Sequence, residues 1–394
     1  MKRTLLALIT GLGLVAPVAA SAGSNDALIQ KLVDKGTLTG QEAEEIKSGT
    51  KDHLKGLSLG GVAFVDYSFG QTGGATRSNY NRFTLQRVYV NIKKEITPWL
   101  KVRVTPDIKS GSTVTGDYTI RMKYTYADFL TPDLGPITNN DIRAGLGHTP
   151  MLDFEEAING YRMQGPMFQD RSHLITSSDI GVSVLGNFGG KLTKEQTEEV
   201  GNHHYDGRYG TYHIGVYNGG GYGATSENNQ NKSIQGRLTV RPLPDILPGL
   251  QLTYLGITGK GNASTNDTVT GKPQTWTNNT GMLSFQHRYA VLTAEYMSGK
   301  GSNGGDTSYA RKKKGYSVFG KVTVPMFDKV SVFGRYDELD PDKDVANDKV
   351  KTTIGGVSYR IHGDNYIMAA YEKQQDQTKA NNETKGQIVL QIAF

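Results

Sequence analysis

Residues 386–394 read "GQIVLQIAF". Ile388, Leu390, Ile392 and Phe394 fall on one side of a period-2 pattern and Gln387 and Gln391 on the other, as in a strand with unlike faces. The chain stops there, in mid-strand. In a water-soluble sheet this would leave an apolar edge with unpaired backbone groups, an aggregation hazard. A closed barrel has no such edge, so the terminal strand points to closure.

The same alternation recurs upstream. In "LSLGGVAFVDYSF", Leu57, Leu59, Val65, Tyr67 and Phe69 oppose Ser58, Asp66 and Ser68. In "WLKVRVTPD", Leu100, Val102 and Val104 oppose Lys101, Arg103, Thr105 and Asp107. In "YTIRMKYTY", Tyr118, Ile120, Met122 and Tyr124 oppose Thr119, Arg121 and Lys123. About sixteen strands are predicted, at 57–69, 82–94, 99–109, 117–129, 141–149, 178–188, 209–218, 232–241, 250–258, 280–289, 291–299, 315–324, 330–338, 350–361, 365–374 and 386–394. Most reach the roughly 9 to 11 residues needed to cross a bilayer at a tilt. Short turns alternate with long polar loops, and the even count returns the last strand to the first. One connection breaks the pattern: residues 189–208, "GGKLTKEQTEEVGNHHYDGR", fall by parity on the periplasmic side yet are long and charged, with a helical turn expected at "KEQTEEV".

The predicted fold is all-β, a 16-stranded antiparallel transmembrane β-barrel over 56–394 with a short N-terminal helical segment over 23–55. Residues 1–22 have a basic start, an apolar run and an Ala20-Ser21-Ala22 cleavage site, as in a secretory signal peptide. In the helical segment Gly36 can close a first helix, and Thr39 to Glu42 has capping-box spacing for a second. No later stretch approaches the roughly 18 to 20 apolar residues of a membrane-spanning helix. The 49 glycines and 21 tyrosines suit many turns and an aromatic belt.

The chain has no cysteine, which removes thiol catalysis, iron–sulfur clusters and covalent haem. Loss of Lys2 and Arg3 with the signal lowers the formal charge from +6 to +4, a balance that does not suggest nucleic acid. No enzyme is expected: Ser284 and His287 lie at odd spacing on one strand, hence on opposite faces, out of reach as nucleophile and base. His203, His204 and Asp206 are metal-ligand types, but neighbouring histidines in a polar loop are more often unligated, so no metal and no cofactor is assigned. "YNGGGYGA" reads as an external loop.

The most specific block is residues 143–190, "RAGLGHTPMLDFEEAINGYRMQGPMFQDRSHLITSSDIGVSVLGNFGG". It resembles the phosphate-selective porin O and P family, with Pro150, Glu155, Glu156, Phe168, Asp170, Arg171 and Gly181 at the matching places. The resemblance implies a 16-stranded, trimeric diffusion porin of a Gram-negative-type outer membrane, its third long loop, near 150–178, folded into the pore. The terminal Phe394 resembles the signal read by the barrel assembly machinery. The sequence departs from the family at "SSDIG", where Asp179 stands in a stretch often basic, so phosphate selectivity does not follow.

Basic residues Lys101, Arg103, Arg121, Lys123 and Arg143 are expected to line the pore, since each would cost about 2 to 4 kcal/mol facing mid-bilayer lipid. Asp153, Glu155, Glu156, Arg162, Asp170 and Arg171 are expected on the constriction loop opposite them. The expected function is weakly anion-selective diffusion of small hydrophilic solutes and ions. Two alternatives are a phosphate-selective channel and a structural barrel that sheathes or anchors a partner such as a cytochrome or adhesion protein.

Overall fold

A computed structural model describes residues 29–44, 54–110, 117–224 and 226–394. The signal peptide assigned to 1–22 lies outside them. The chain divides into an N-terminal unit, residues 1–57, and a unit spanning 58–394.

In the N-terminal unit residues 29–34 and 40–44 are helical. Gly36, at φ 68°, ends the first helix, its N–H bonding Val33 O at 2.9 Å. The second begins with a reciprocal cap: Glu42 N donates to Thr39 Oγ1 at 3.1 Å, and Thr39 N to Glu42 Oε2 at 2.8 Å. Those bonds to Thr39 hold the Glu42 carboxyl below its ordinary range.

Among the described residues sixteen antiparallel strands form one closed barrel in sequence order. They are β1 (Leu57–Gln71), β2 (Asn79–Thr97), β3 (Leu100–Ser110), β4 (Tyr118–Thr131), β5 (Ile137–His148), β6 (Ser178–Phe188), β7 (Gly210–Tyr217) and β8 (Ser233–Val240). Then follow β9 (Leu250–Lys260), β10 (Thr275–His287), β11 (Ala290–Lys300), β12 (Lys312–Thr323), β13 (Val330–Asp340), β14 (Val350–His362), β15 (Asn365–Asp376) and β16 (Glu383–Ala393). Every segment predicted as a strand is one, with ends displaced by a few residues.

Closure runs along β1 and β16, from Val62 opposite Ala393 to Gln71 opposite Thr384. The seam extends to the last residue: Gly61 N donates to Phe394 O at 2.9 Å, and Phe394 N to Gly61 O at 3.1 Å. Ile388, Leu390, Ile392 and Phe394 are exposed on the outer face, whereas Gln387 is 2% exposed and turned inward. Outward Leu, Ile, Val and Tyr side chains continue around the barrel, an apolar surface that only lipid or a partner chain can cover.

In β4 the faces change over. Thr105 of β3 lies opposite Tyr124, but Pro106 lies opposite Met122, so Lys123 is an extra residue. Pro106 has no N–H for the ladder, which makes a bulge the place where a strand tolerates it. Lys123 and Tyr124 are both buried in the lumen, and Tyr126 follows, whereas unbroken alternation put Tyr124 outward with Met122.

The glycine at position 61 is required by this seam. A Cβ there would stand 2.5 Å from the Phe394 ring and 2.8 Å from the backbone O of Tyr89. On the outer face of β10, a Cβ at Gly281 would meet nothing within 4 Å. Gly61→Val is therefore expected to lose about 1–3 kcal/mol through overpacking and to lower the yield of heat-modifiable folded barrel. Gly281→Val should fold as wild type; equal yields from the two would count against the seam as the critical contact.

Candidate functional site

The β5–β6 connection, residues 149–177, does not leave the barrel but lies across its interior. It carries two helices, α1 (Leu152–Asn159) and α2 (Phe168–Arg171). Asp153 and Glu155 in the first turn of α1 complement the helix dipole, and Gly160 ends it at φ 73° with its N–H on Glu156 O. Helical spacing then sorts the side chains. Leu152, Glu155, Ile158 and Asn159 fall on a buried face. Asp153, Glu156, Ala157 and Gly160 fall on the face that borders the open lumen.

The buried face rests on an apolar inner wall. Met151, Leu152, Phe154, Ile158, Tyr161, Met163 and Met167 form one core with inward residues of β9 to β16, among them Leu255, Trp276, Phe319, Phe333, Ile354 and Met368. The Tyr161 ring stacks on Phe333 at 4.2 Å, and its hydroxyl bonds Ser358 Oγ at 2.7 Å. Gln169 of α2 donates to Thr280 at 3.0 Å and Glu295 at 2.6 Å, and accepts from Asn278 at 2.6 Å. Arg171 pairs with Glu372 of β15 and donates to Gln164 at 3.3 Å.

Glu155 and Arg171, expected at the constriction, therefore lie against the wall and hold the loop down. Glu155 and Glu156 are neighbours in sequence, but in α1 they point about 100° apart, as the 3.6-residue repeat requires. Asp153, Glu156 and Arg162 border the lumen, Arg162 Nε standing 3.1 Å from Glu156. Asp170 sits in α2, partly exposed.

Opposite the loop lies a cavity of about 770 Å³, lined by β1 to β7 and by the end of β16. It is bordered by Lys93, Arg103, Lys123 and Arg143, with Arg162 on the loop side, and by the carboxylates Asp153, Glu156 and Asp364. Arg103 donates to Asn91 at 2.7 Å and Thr105 at 3.0 Å, contacts His148 Nε2 at 3.0 Å and lies 4.5 Å over the Tyr124 ring. Lys123 lies 4.4 Å over Tyr89. Arg143 bonds both Asp128 oxygens, at 2.7 and 3.0 Å, over the Tyr126 ring. Lys101, two residues before Arg103 and on the same face of β3, lies beside the β2–β3 turn, half-exposed and paired with Glu95 at 2.7 Å, away from this cavity. Arg121 lies outside this cavity, bound to Asp107 at 2.9 Å.

Three features were not read from the sequence. Arg87 of β2 shares Asp107 with Arg121, at 2.6 Å. Tyr222, in a loop read as external, reaches inward to both arginines. Third, the β6–β7 connection, at the short-turn end, sends its tip up into the lumen. It carries α3 (Lys194–Val200), with a Thr193–Gln196 capping box. From its tip Tyr205 Oη donates to Asp153 at 2.5 Å and Asn202 to Ala157 O at 2.9 Å, so α1 is gripped from that end also. Arg237, fully buried, lies over both Phe154 and Tyr205 and donates to Pro150 O at 2.8 Å. Burial works to raise Asp153, but its bonds to His148 and Tyr205 hold the carboxyl well below the usual range. Ser284 faces the lumen while His287 lies on the other face of β10, so the pair forms no catalytic set.

No protein-family model and no curated protein sequence matches the chain. Solved outer-membrane barrels do match its fold. An anion-selective porin from Comamonas acidovorans gives a TM-score of 0.58 at 13% identity, over 86% of this chain and 99% of that one. OmpF of Salmonella typhi, in complex with daunomycin, gives 0.56 at 12%, over 86% and 97%. In vitro folded OmpT of Vibrio cholerae, in its trimer form, gives 0.54 at 10%, over 86% and 99%. At these identities the likeness defines the architecture: the chain has the fold of outer-membrane porins.

Burial raises Glu155 well above its ordinary value of 4.5, the Glu295 carboxylate adds to this, and Arg335 opposes it. The folded state thus binds this proton more tightly than the unfolded chain. Its contribution is complete below 4.5 and is lost as pH rises through the raised folded value, by about 1.4 kcal/mol per unit. Thermal midpoints should fall as pH rises from acid toward neutral, and Glu155→Gln should flatten that slope. Parallel slopes for the two proteins would remove Glu155 as the cause.

Proposed function

We propose that the protein is an outer-membrane diffusion porin that passes small hydrophilic solutes and ions with a modest preference for anions. The observation that carries this reading is the divided lumen: one wall covered by a firmly packed loop, the other lined with cations around an open cavity. The five basic side chains at the cavity outnumber its three carboxylates, and charge lining a narrow passage biases permeation. Paired cations attract a passing anion less. Arg143 is bound to Asp128 and Arg162 to Glu156, whereas Arg103 bonds neutral groups and Lys93 and Lys123 form no ion pair among the described residues. The resulting field is weakly positive and not a ladder of free cations, which supports neither the phosphate selectivity of the O and P family nor tight phosphate block.

In this reading the signal peptide directs export, Phe394 is read by the barrel assembly machinery, and the outer apolar face meets lipid and the other copies of a homotrimer. The short-turn end, with α3, faces the periplasm. Because the chain lacks cysteine, a single Lys194→Cys substitution tests this orientation. An impermeant thiol reagent should label it only after the outer membrane is breached; labelling on intact cells would invert the topology.

Purified protein in planar bilayers should conduct, which a barrel that only sheathes a partner would not. In a salt gradient the reversal potential should report anion preference. Removing one partly exposed charge is worth about 0.5 kcal/mol, or roughly twofold in permeability ratio. Arg103→Ala should move the ratio toward cations and Glu156→Gln toward anions. An unmoved reversal potential in both variants would mean that these side chains do not govern the passage.

A further inference from the structure

Arg87 and Arg121 converge on one point. Arg87 Nη1 stands 3.3 Å, and Arg121 Nη2 2.7 Å, from the hydroxyl oxygen of Tyr222. The Arg121 guanidinium also lies 4.2 Å over the Tyr222 ring. Both guanidiniums share a single carboxylate oxygen, Asp107 Oδ2, while Asp107 is wholly buried and its Oδ1 finds no partner among the described residues. Two cations thus face one anion and a neutral phenol. One positive charge stays uncompensated, at a place already shaped for a flat ring bearing an oxygen.

The ring is delivered by a glycine-rich turn of the β7–β8 connection. Gly219 and Gly221 have φ of 98° and 74°, which other residues rarely adopt, and a Cβ at Gly221 would stand 2.7 Å from Thr176. The turn is held to the barrel by Gly219 N on Asp179 Oδ2 at 2.7 Å and Tyr222 N on Ser178 O at 2.9 Å. Asn218 N on Ile180 O at 3.0 Å and Asn303 Nδ2 on Gly220 O at 3.4 Å add to these anchors, whereas the phenol itself bonds only the two guanidiniums among the described residues.

We propose that Arg87 and Arg121 form a subsite for a planar aromatic anion, an aryl carboxylate or phenolate, whose place the Tyr222 side chain takes in this structure. A carboxylate would accept charge-assisted hydrogen bonds from both guanidiniums where the phenol offers a neutral oxygen. Its ring would stack on Arg121 as the tyrosine ring does. Tyr222 is then an internal competitor that a solute displaces on its way through. The inference rests on the porin reading for its physiological meaning but not for its test.

The test is calorimetric titration of detergent-solubilised, heat-modifiable protein with sodium benzoate, cyclohexanecarboxylate and acetate, alongside benzoate block of chloride current in bilayers. A competitor that fills the subsite nine-tenths of the time weakens apparent affinity about tenfold, so Tyr222→Ala should bind benzoate about tenfold more tightly than wild type. Tyr222→Phe, which keeps the ring and removes the hydroxyl, should fall between them. Arg87→Lys and Arg121→Lys should each weaken binding, and cyclohexanecarboxylate, equal in charge but not flat, should bind less well than benzoate. Benzoate affinity indifferent to Tyr222, or equal affinity for the two ring acids, would overturn the proposal. Chloride conductance with no Tyr222-dependent binding sinks the subsite alone; binding as expected without conductance sinks the porin reading alone.

Discussion

Inside a bilayer no water is present to satisfy backbone N–H and C=O groups, so each strand depends on its neighbours for every ladder bond. That constraint makes the β1–β16 seam the contact on which the rest depends. The pairing reaches Phe394, whose backbone N–H and C=O bond Gly61 and whose ring lies where a Gly61 side chain would stand. Without closure β1 and β16 would be open apolar edges, and the lumen would have no inside. Closure also fixes register, and register decides which side chains point inward.

With the register fixed, the interior is not uniformly polar. Strands β9 to β16 turn residues such as Phe319, Phe333 and Met368 inward, which would be costly against water, and the 149–177 loop covers them. The loop is held by apolar packing at its centre, by Arg171 and Gln169 on the wall side, and by Tyr205 and Asn202 from the short-turn end. It cannot swing from the wall without exposing that core, so the width of the passage is a property of the folded state. The cations of β2 to β5 face what remains open.

Most of this frame was legible in the sequence, because alternation between lipid and lumen is a strong period-2 signal. Tyr124 was misplaced because the bulge that turns it inward depends on Pro106 in the neighbouring strand, a cross-strand effect that no single-strand pattern contains. Glu155 was misplaced because its direction depends on whether the loop is helical or extended, and the apolar wall that favours a helix there comes from strands far along the chain. That wall had left a trace. Val318-Phe319, Val332-Phe333 and the run Ile388-Val389-Leu390 place apolar residues on both faces, which marks a strand covered on both sides. The inward reach of Tyr205 and Tyr222 left no such trace, since a tyrosine in a polar loop looks the same whichever way the loop folds.

The position of the acidic residues completes the electrostatic argument. Most cations of the lumen wall opposite the loop have a carboxylate or a tyrosine ring beside them: Asp107 for Arg87 and Arg121, Asp128 for Arg143, Tyr124 for Arg103, Tyr89 for Lys123. Burial of an unpaired charge is costly, and a partner fixes the side chain as well as neutralising it. Rings do the second without the first. A lumen built from such pairs keeps its shape while leaving only a small surplus of positive charge, carried where the partner is a ring or an amide. In the proposed porin, selectivity would depend less on how many cations line the lumen than on which of them are neutralised by a carboxylate.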